Sequence, residues 1–171
     1  CNGKDNYDKI NLVQIAWVIV EGDQVVEENV AVIKPQNYVI PEDSIKIHGI
    51  TNERAQKEGK DVRETILDFV ASLYEHDITH IVAHNFEFDS NVILSVMKRL
   101  DNFPVKNVEL FTKLKPVCTM VCSTDIVKIS VANRRGYKYP SLSELYKFLT
   151  GTEMEVKHDA LYDAQKCANC Y

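Results

Sequence analysis

Residues 10–20, "INLVQIAWVIV", are a nearly unbroken run of aliphatic, β-branched and aromatic side chains. A strand with one wet face alternates apolar and polar residues, so a run this dense reads as a strand covered on both faces. "EGD" (21–23) supplies a tight turn directly after it, and "QVVEENVAVIKP" (24–35) reads as a second strand that Pro35 stops. The pair predicts a hairpin.

The rest of the chain supplies what would cover that hairpin. Residues 36–60 read as loop, with "IPEDSIKIHGIT" at 40–51. Residues 62–75 place Val62, Ile66, Phe69, Val70 and Leu73 on one helical face. "THIVAH" (79–84) reads as a short buried strand, and Ile93, Met97 and Leu100, flanked by Val96, mark a second amphipathic helix. Residues 115–119 suit another short strand, followed by a helical stretch. In "SLSELYKFLTG" (141–151), Ser141 and Glu144 spell a capping box and Gly151 a stop. A last helix starts near Asp159, a good N-cap residue. Hairpin, helix, strand, helix, short strand, helices: this order predicts a mixed α/β sheet with helices packed on it.

The chain has 171 residues, 45% hydrophobic and 26% charged, which suits one domain with a core of its own, residues 1–171. No apolar run reaches about 18 residues, and the N-terminus is polar rather than basic and then apolar. An intracellular protein, cytoplasmic or nuclear and away from membranes, is expected. The net charge of −5, from 20 basic and 25 acidic side chains, does not attract polyanions generally. Nucleic-acid binding would have to be local, through a few basic groups or through metal ions. The five cysteines, an odd count, read as reduced thiols. The spacing of Cys118, Cys122, Cys167 and Cys170 admits a four-thiolate zinc site, but Cys167 and Cys170 fall in a helical segment, where thiols fill a core.

Four places carry possible chemistry. In "AHNFEFD" (83–89) a strand ends and Asp89 follows at the mouth of the next helix, where it either caps the helix or meets a ligand. In "VKHDALYDAQ" (156–165), His158 and Asp163 are five apart, about 140° of helical rotation, so two helical residues at that spacing share no face. With Asp159 as the cap, however, His158 lies outside the helix and Asp163 about one turn inside it. An imidazole beside a fixed carboxylate suits proton abstraction next to a metal; a solvated histidine is the plain alternative. In "IHGIT" (47–51), Gly49 permits positive φ, either for a turn or to let backbone approach a ligand. Arg134, Arg135 and Lys138, interleaved with Tyr137 and Tyr139, suit nucleic acid or a solvated loop.

Together these stretches resemble one family. "LVQIAWVIV", "VIKP", "IPEDSIKIHGIT", "IVAHNFEFD", "YPSLSELYKFLTG" and "HDALYDA" occur in the order found in the DEDDh 3′–5′ exonucleases, the DnaQ-like superfamily of the proofreading ε subunit of bacterial DNA polymerase III, oligoribonuclease and RNase T. The resemblance implies an RNase H-like α/β fold, with helices flanking a central mixed five-stranded sheet. It also implies two divalent metal ions, Mg²⁺ or Mn²⁺, held by four acidic residues. Asp89 and Asp163 would be metal ligands and His158 the general base. His48, Gly49, Ile50, Asn85, Phe86 and Phe88 would bracket the terminal nucleotide. Single-stranded 3′ ends, DNA or RNA, would be the substrate, and a polymerase or other replication or repair protein a partner. One departure stands out. The family's first motif, Asp-x-Glu on the first strand, is missing, and Asp5 and Asp8 lack its spacing. "CNG" at residue 1 matches the short stretch that comes directly after that motif, so the pair and its strand are expected just before Cys1, and the chain as written is not expected to hold both metals. The alternative is a degenerate, non-catalytic nucleic-acid-binding or scaffold domain.

Overall fold

The computed structural model describes residues 7, 10–131, 135–155, 157 and 159–171. Strands β1 (Gln14–Glu21) and β2 (Gln24–Val32) form the expected hairpin across the turn at Gly22. There follow α1 (Glu42–His48), α2 (Asn52–Glu58), α3 (Val62–Glu75), β3 (His80–Ala83), α4 (Phe86–Arg99), α5 (Val105–Lys113), β4 (Lys115–Cys118), α6 (Thr119–Cys122), α7 (Thr124–Val127), α8 (Leu142–Thr150) and α9 (Ala160–Ala168). β3 and β4 pair in parallel. Mixed α/β architecture is thus as expected, but the sheet is small. Among the described residues the strands make two two-stranded sheets, and the β3–β4 ladder runs four residues before α4 and α6 take over. Among these residues no helix is long and apolar enough to cross a membrane.

The chain divides into two compact units. The first comprises Cys1–Ile15, Val30–Thr79 and Glu87–Leu114. Its α3 matches the expected span. Asp61 caps it by accepting from the amides of Arg63 (2.8 Å) and Glu64 (3.1 Å), and Ile66, Phe69, Val70 and Leu73 are buried. Phe69 meets Phe111 of α5 edge to face, with centroids 6.1 Å apart, an arrangement aromatic quadrupoles favour. α4 buries Val92, Val96 and Met97.

The loop expected over residues 36–60 is instead two short helices. Pro41, at φ −63°, precedes α1 with Glu42 and Asp43 in its first turn, where acidic groups favour a helix start. Gly49, at φ +71°, ends it in the left-handed conformation that glycine adopts without strain. Thr51 caps α2 by accepting from the Arg54 amide. Asn52 clamps the backbone of Ile40 in both directions, its Oδ1 accepting from the Ile40 amide (2.7 Å) and its Nδ2 donating to the Ile40 carbonyl (3.0 Å). Ile40, Ile50 and Ala55 close a core cluster against Val13, Val32, Tyr38 and Ile45.

The second unit comprises Ala16–Asn29, His80–Phe86 and Lys115–Tyr171. α8 carries the expected capping box: the Glu144 amide donates to Ser141 Oγ (3.2 Å) and the Ser141 amide to Glu144 Oε2 (2.8 Å). Gly151 stops the helix at φ +71°. Asp159 caps α9 by accepting from the Tyr162 amide at 3.1 Å. β3 departs from expectation, since His80 is exposed and Ile81–Ala83 are only half-buried: a strand in a two-stranded pair is covered along one edge.

Gly59 follows α2, where its neighbour Lys60 bridges to Ile33 in parallel and Lys34 donates to the Lys60 carbonyl (2.9 Å). A Cβ on Gly59 would stand 2.2 Å from the Ala55 carbonyl oxygen and 2.6 Å from the Lys34 nitrogen, and neither is a flexible side-chain end. Gly59→Ala is therefore expected to destabilise the protein by about 1–3 kcal/mol, the usual cost of overpacking. Urea denaturation checks this, and an unchanged midpoint would mean the approach is looser than described.

Candidate functional site

The sequence "AHNFEFD" is built around a strand end. The parallel ladder finishes at Ala83 opposite Cys118, and the Met120 amide donates to the His84 carbonyl at 3.2 Å. His84 and Asn85 form the turn, and α4 starts at Phe86. Asn85 is exposed, Phe86 half-buried and Phe88 exposed. Phe88 stacks edge to face on Tyr7 at 6.1 Å. Asp89 is exposed and lies inside the first turn of α4 rather than at the cap, so the helix N-terminus acts on its carboxylate as a weak positive charge.

His84 itself was not singled out in the sequence, yet it is the most connected group here. Its Nε2 lies 3.0 Å from the Pro140 carbonyl and its Nδ1 3.0 Å from Thr119 Oγ1. A carbonyl only accepts, so Nε2 carries the proton and Nδ1 accepts from the threonine hydroxyl. Burial pushes this imidazole below its ordinary pKa, partly offset by the bond to Pro140.

"IHGIT" is the end of α1. His48 is the last helical residue, Gly49 turns the chain, and Ile50 is fully buried. The Ile50 amide donates to His48 Nδ1 at 3.0 Å, which fixes the neutral tautomer with the proton on Nε2. That Nε2 is buried and has no hydrogen-bond partner among the described residues. Burial pushes the His48 pKa down. Of the three residues expected to approach a ligand, Ile50 offers its side chain to the core, and His48 and Gly49 remain at the surface turn.

At α9, Asp163 is half-buried in the first turn, its amide donating to the Asp159 carbonyl at 2.9 Å. His158 lies outside the described residues. What the sequence did not suggest is the aromatic and basic setting of this helix. Lys166 lies over the rings of Tyr146 (4.8 Å) and Tyr162 (5.1 Å), Lys157 over Tyr162 (5.1 Å), and Tyr162 Oη accepts from the Glu155 amide (3.0 Å). Gln165 donates to both carboxylate oxygens of Glu28 in the hairpin, at 3.0 and 3.1 Å.

The basic stretch divides. Arg134 lies outside the described residues, while Arg135, Tyr137 and Tyr139 are exposed. Lys138 is held by Glu144 at 2.6 Å, which together with the Ser141 amide keeps the Glu144 carboxyl below the ordinary carboxylate range. Among the cysteines, Cys167 is buried with its Sγ 3.6 Å from Thr119 Oγ1, Cys118 donates to the His84 carbonyl at 3.5 Å, and burial raises the Cys170 thiol.

The sequence profile of the RNase T exonuclease family matches residues 1–171. The chain belongs to this exonuclease family. No curated protein matches it significantly. Among solved structures, it is similar to Exonuclease X in complex with 5′ overhanging duplex DNA: 24% identity, 93% of this chain and 79% of that chain covered, TM-score 0.55. That likeness establishes a shared fold, the RNase H-like α/β architecture.

Exonucleases of this family are in general divalent-metal dependent. Asp89 and Asp163 are hard oxygen donors of the class such cations take. They are set in the first turns of two helices, Asp89 in the first unit and Asp163 in the second. Among the described residues no three His, Cys, Asp or Glu side chains gather into a group that could hold a metal. These residues supply donors of the right kind without closing a site by themselves.

The two imidazoles make a pH prediction. Each binds its proton less readily folded than unfolded, so their contribution to stability is fully present above the ordinary value of 6.5 and is lost as pH falls through the lowered folded values. NMR titration should place the ring protons of His48 and His84 below that ordinary value, and thermal unfolding should occur at lower temperature as pH drops from neutrality toward the folded midpoints. A midpoint at or above the ordinary value for either ring would contradict the burial described.

Proposed function

We propose that residues 1–171 are one exonuclease domain that removes 5′-mononucleotides from a free 3′-hydroxyl of single-stranded DNA or RNA, with two divalent ions, Mg²⁺ or Mn²⁺, as cofactors. The observation that carries this reading is the placement of Asp89 and Asp163 in the first turns of α4 and α9, in a chain of the exonuclease family. In this reading both carboxylates are metal ligands and His158 is the general base. Ions held there would supply the positive charge that neutralises a scissile phosphate and acidifies a water. The helix N-termini cannot take that role, since each is worth about 0.3–1 kcal/mol to an anion.

The chain's own residues do the rest. His158 takes the proton of the attacking water. In this reading His48 and Gly49 bracket the terminal nucleotide at the end of α1, where Gly49 has no side chain to hinder the approach. Asn85, Phe86 and Phe88 follow the β3 turn and shape the pocket for the terminal nucleotide; Ile50 contributes by fixing the His48 ring through its amide. An intracellular setting and a replication or repair partner, such as a polymerase, accord with this chemistry. A second reading, a non-catalytic nucleic-acid-binding or scaffold domain, draws on the lack of a closed donor group among the described residues.

The full-length protein should degrade end-labelled single strands with Mg²⁺ or Mn²⁺, stop in EDTA, and spare strands blocked by a 3′-phosphate. Cleavage that persists in chelator, or cuts within a circular single strand, would remove this reading, and binding without cleavage would favour the second. His158→Ala should lose about 10²–10⁴-fold in rate, the usual contribution of a general base, with metal affinity intact. Asp163→Asn should lose metal affinity as well as rate by calorimetry and assay at saturating metal. Equal loss of metal affinity in both variants would make His158 a ligand instead.

A further inference from the structure

We propose that His84 is a positioning residue: its imidazole ties the turn between β3 and α4 to Thr119 and to the carbonyl of Pro140, and thereby holds Asn85 and Phe86 in place. The inference rests on the reading that residues 85–89 belong to the substrate site. It is carried by geometry within the second unit. Both ring nitrogens are engaged at 3.0 Å, and the His84 carbonyl accepts from the Met120 amide at 3.2 Å and the Cys118 thiol at 3.5 Å. The residue is thus pinned at both backbone and side chain, immediately before the two site residues.

The direction of each bond follows from the Pro140 carbonyl. With Nε2–H donating to that carbonyl, Nδ1 accepts from the Thr119 hydroxyl. Thr119 Oγ1 is then left to accept from the Cys167 thiol, 3.6 Å away. The result is a single chain of donors running from Cys167 through Thr119 and His84 to Pro140. Thr119, Cys167 and Pro140 are buried, so water does not replace a lost partner easily. Pro140 also precedes Ser141, the cap of α8, so one imidazole links a strand end, the start of α6, the approach to α8 and the body of α9. Neither neighbour could be inferred from sequence: Thr119 is 35 and Pro140 56 residues away.

Substitution separates positioning from mere stability. His84→Gln keeps an amide donor near the place of Nε2 and loses the Nδ1 acceptor; His84→Ala loses both; Thr119→Val removes the hydroxyl at constant shape and covers the case in which His84→Ala does not fold. Two readouts on the full-length protein are compared, amide hydrogen exchange at residues 84–89 and steady-state kinetics on a single-stranded oligonucleotide, with thermal unfolding as control. Expected is faster exchange confined to this turn in His84→Ala and Thr119→Val. The kinetics should show kcat/KM lower by about 10–100-fold in His84→Ala, the range for losing a group that orients a site residue, with substantial recovery in His84→Gln. Exchange that stays at the wild-type rate overturns the proposal. So does faster exchange with unchanged kcat/KM in an active enzyme, or a loss of activity that tracks only the unfolded fraction. If the wild-type protein degrades no nucleic acid, it is the proposed function that fails, and the exchange experiment alone decides whether His84 holds the turn.

Discussion

The register of the four-residue parallel ladder between β3 and β4 governs much of what surrounds it. Ala83 stands opposite Cys118, so the next residues, His84 and Thr119, emerge side by side at the carboxyl ends of both strands, and their side chains bond at 3.0 Å. A slip of one residue would turn each side chain to the other face and separate them. A two-stranded pair this short is marginal by itself. The bonds beyond its end anchor it: Met120 to the His84 carbonyl, His84 to Pro140, and Ser123 Oγ to the Thr119 carbonyl at 2.6 Å. Asn85 and Phe86, the first residues of "NFEFD", follow directly on that anchored turn.

What could be read from the sequence was local chemistry. The hairpin, the α3 face, the capping box at Ser141 and the Asp159 cap all rest on residues within a few positions of each other, and all are present. The helices that escaped are those without a repeating apolar face. α1 buries no residue and α2 buries only Ala55, so periodicity has nothing to repeat. Only punctuation marked them: Pro41 before two acidic residues, Thr51 before "NER", and Gly49 and Gly59 at their ends. α5 has the same signature, Pro104 ahead of a segment whose buried residues are Asn107 and Phe111.

The placement of the candidate side chains on their elements was legible for the same reason. Asp89 was placed near a helix start from the strand end before it and Asp163 from the Asp159 cap, and both lie in first turns. The tautomer of His48 was also a local matter, set by Ile50 two residues on, but the burial of its Nε2 is a property of the assembled core. His84 and the Tyr146 ring beneath Lys166 depend on partners far along the chain, and pattern reading within a window of a few turns cannot reach them.

Charge completes the picture, because an acidic chain that handles a polyanion must put its attraction somewhere specific. The net charge is −5, and several basic side chains already face carboxylates: Lys46 with Asp43 at 2.8 Å, Arg54 with Glu58 at 2.9 Å, Lys138 with Glu144 at 2.6 Å. Exposed pairs of this kind are screened and contribute little to stability, but each cancels local positive potential. Lys138 shows the consequence, since the lysine between two exposed tyrosines is committed to the cap of α8. On the proposed reading, recognition of a phosphate chain would rest on bound ions and on neutral, directional donors such as the exposed Asn85 amide. Neutral donors release no counterions, so they lend geometry rather than the steep salt dependence of a basic patch.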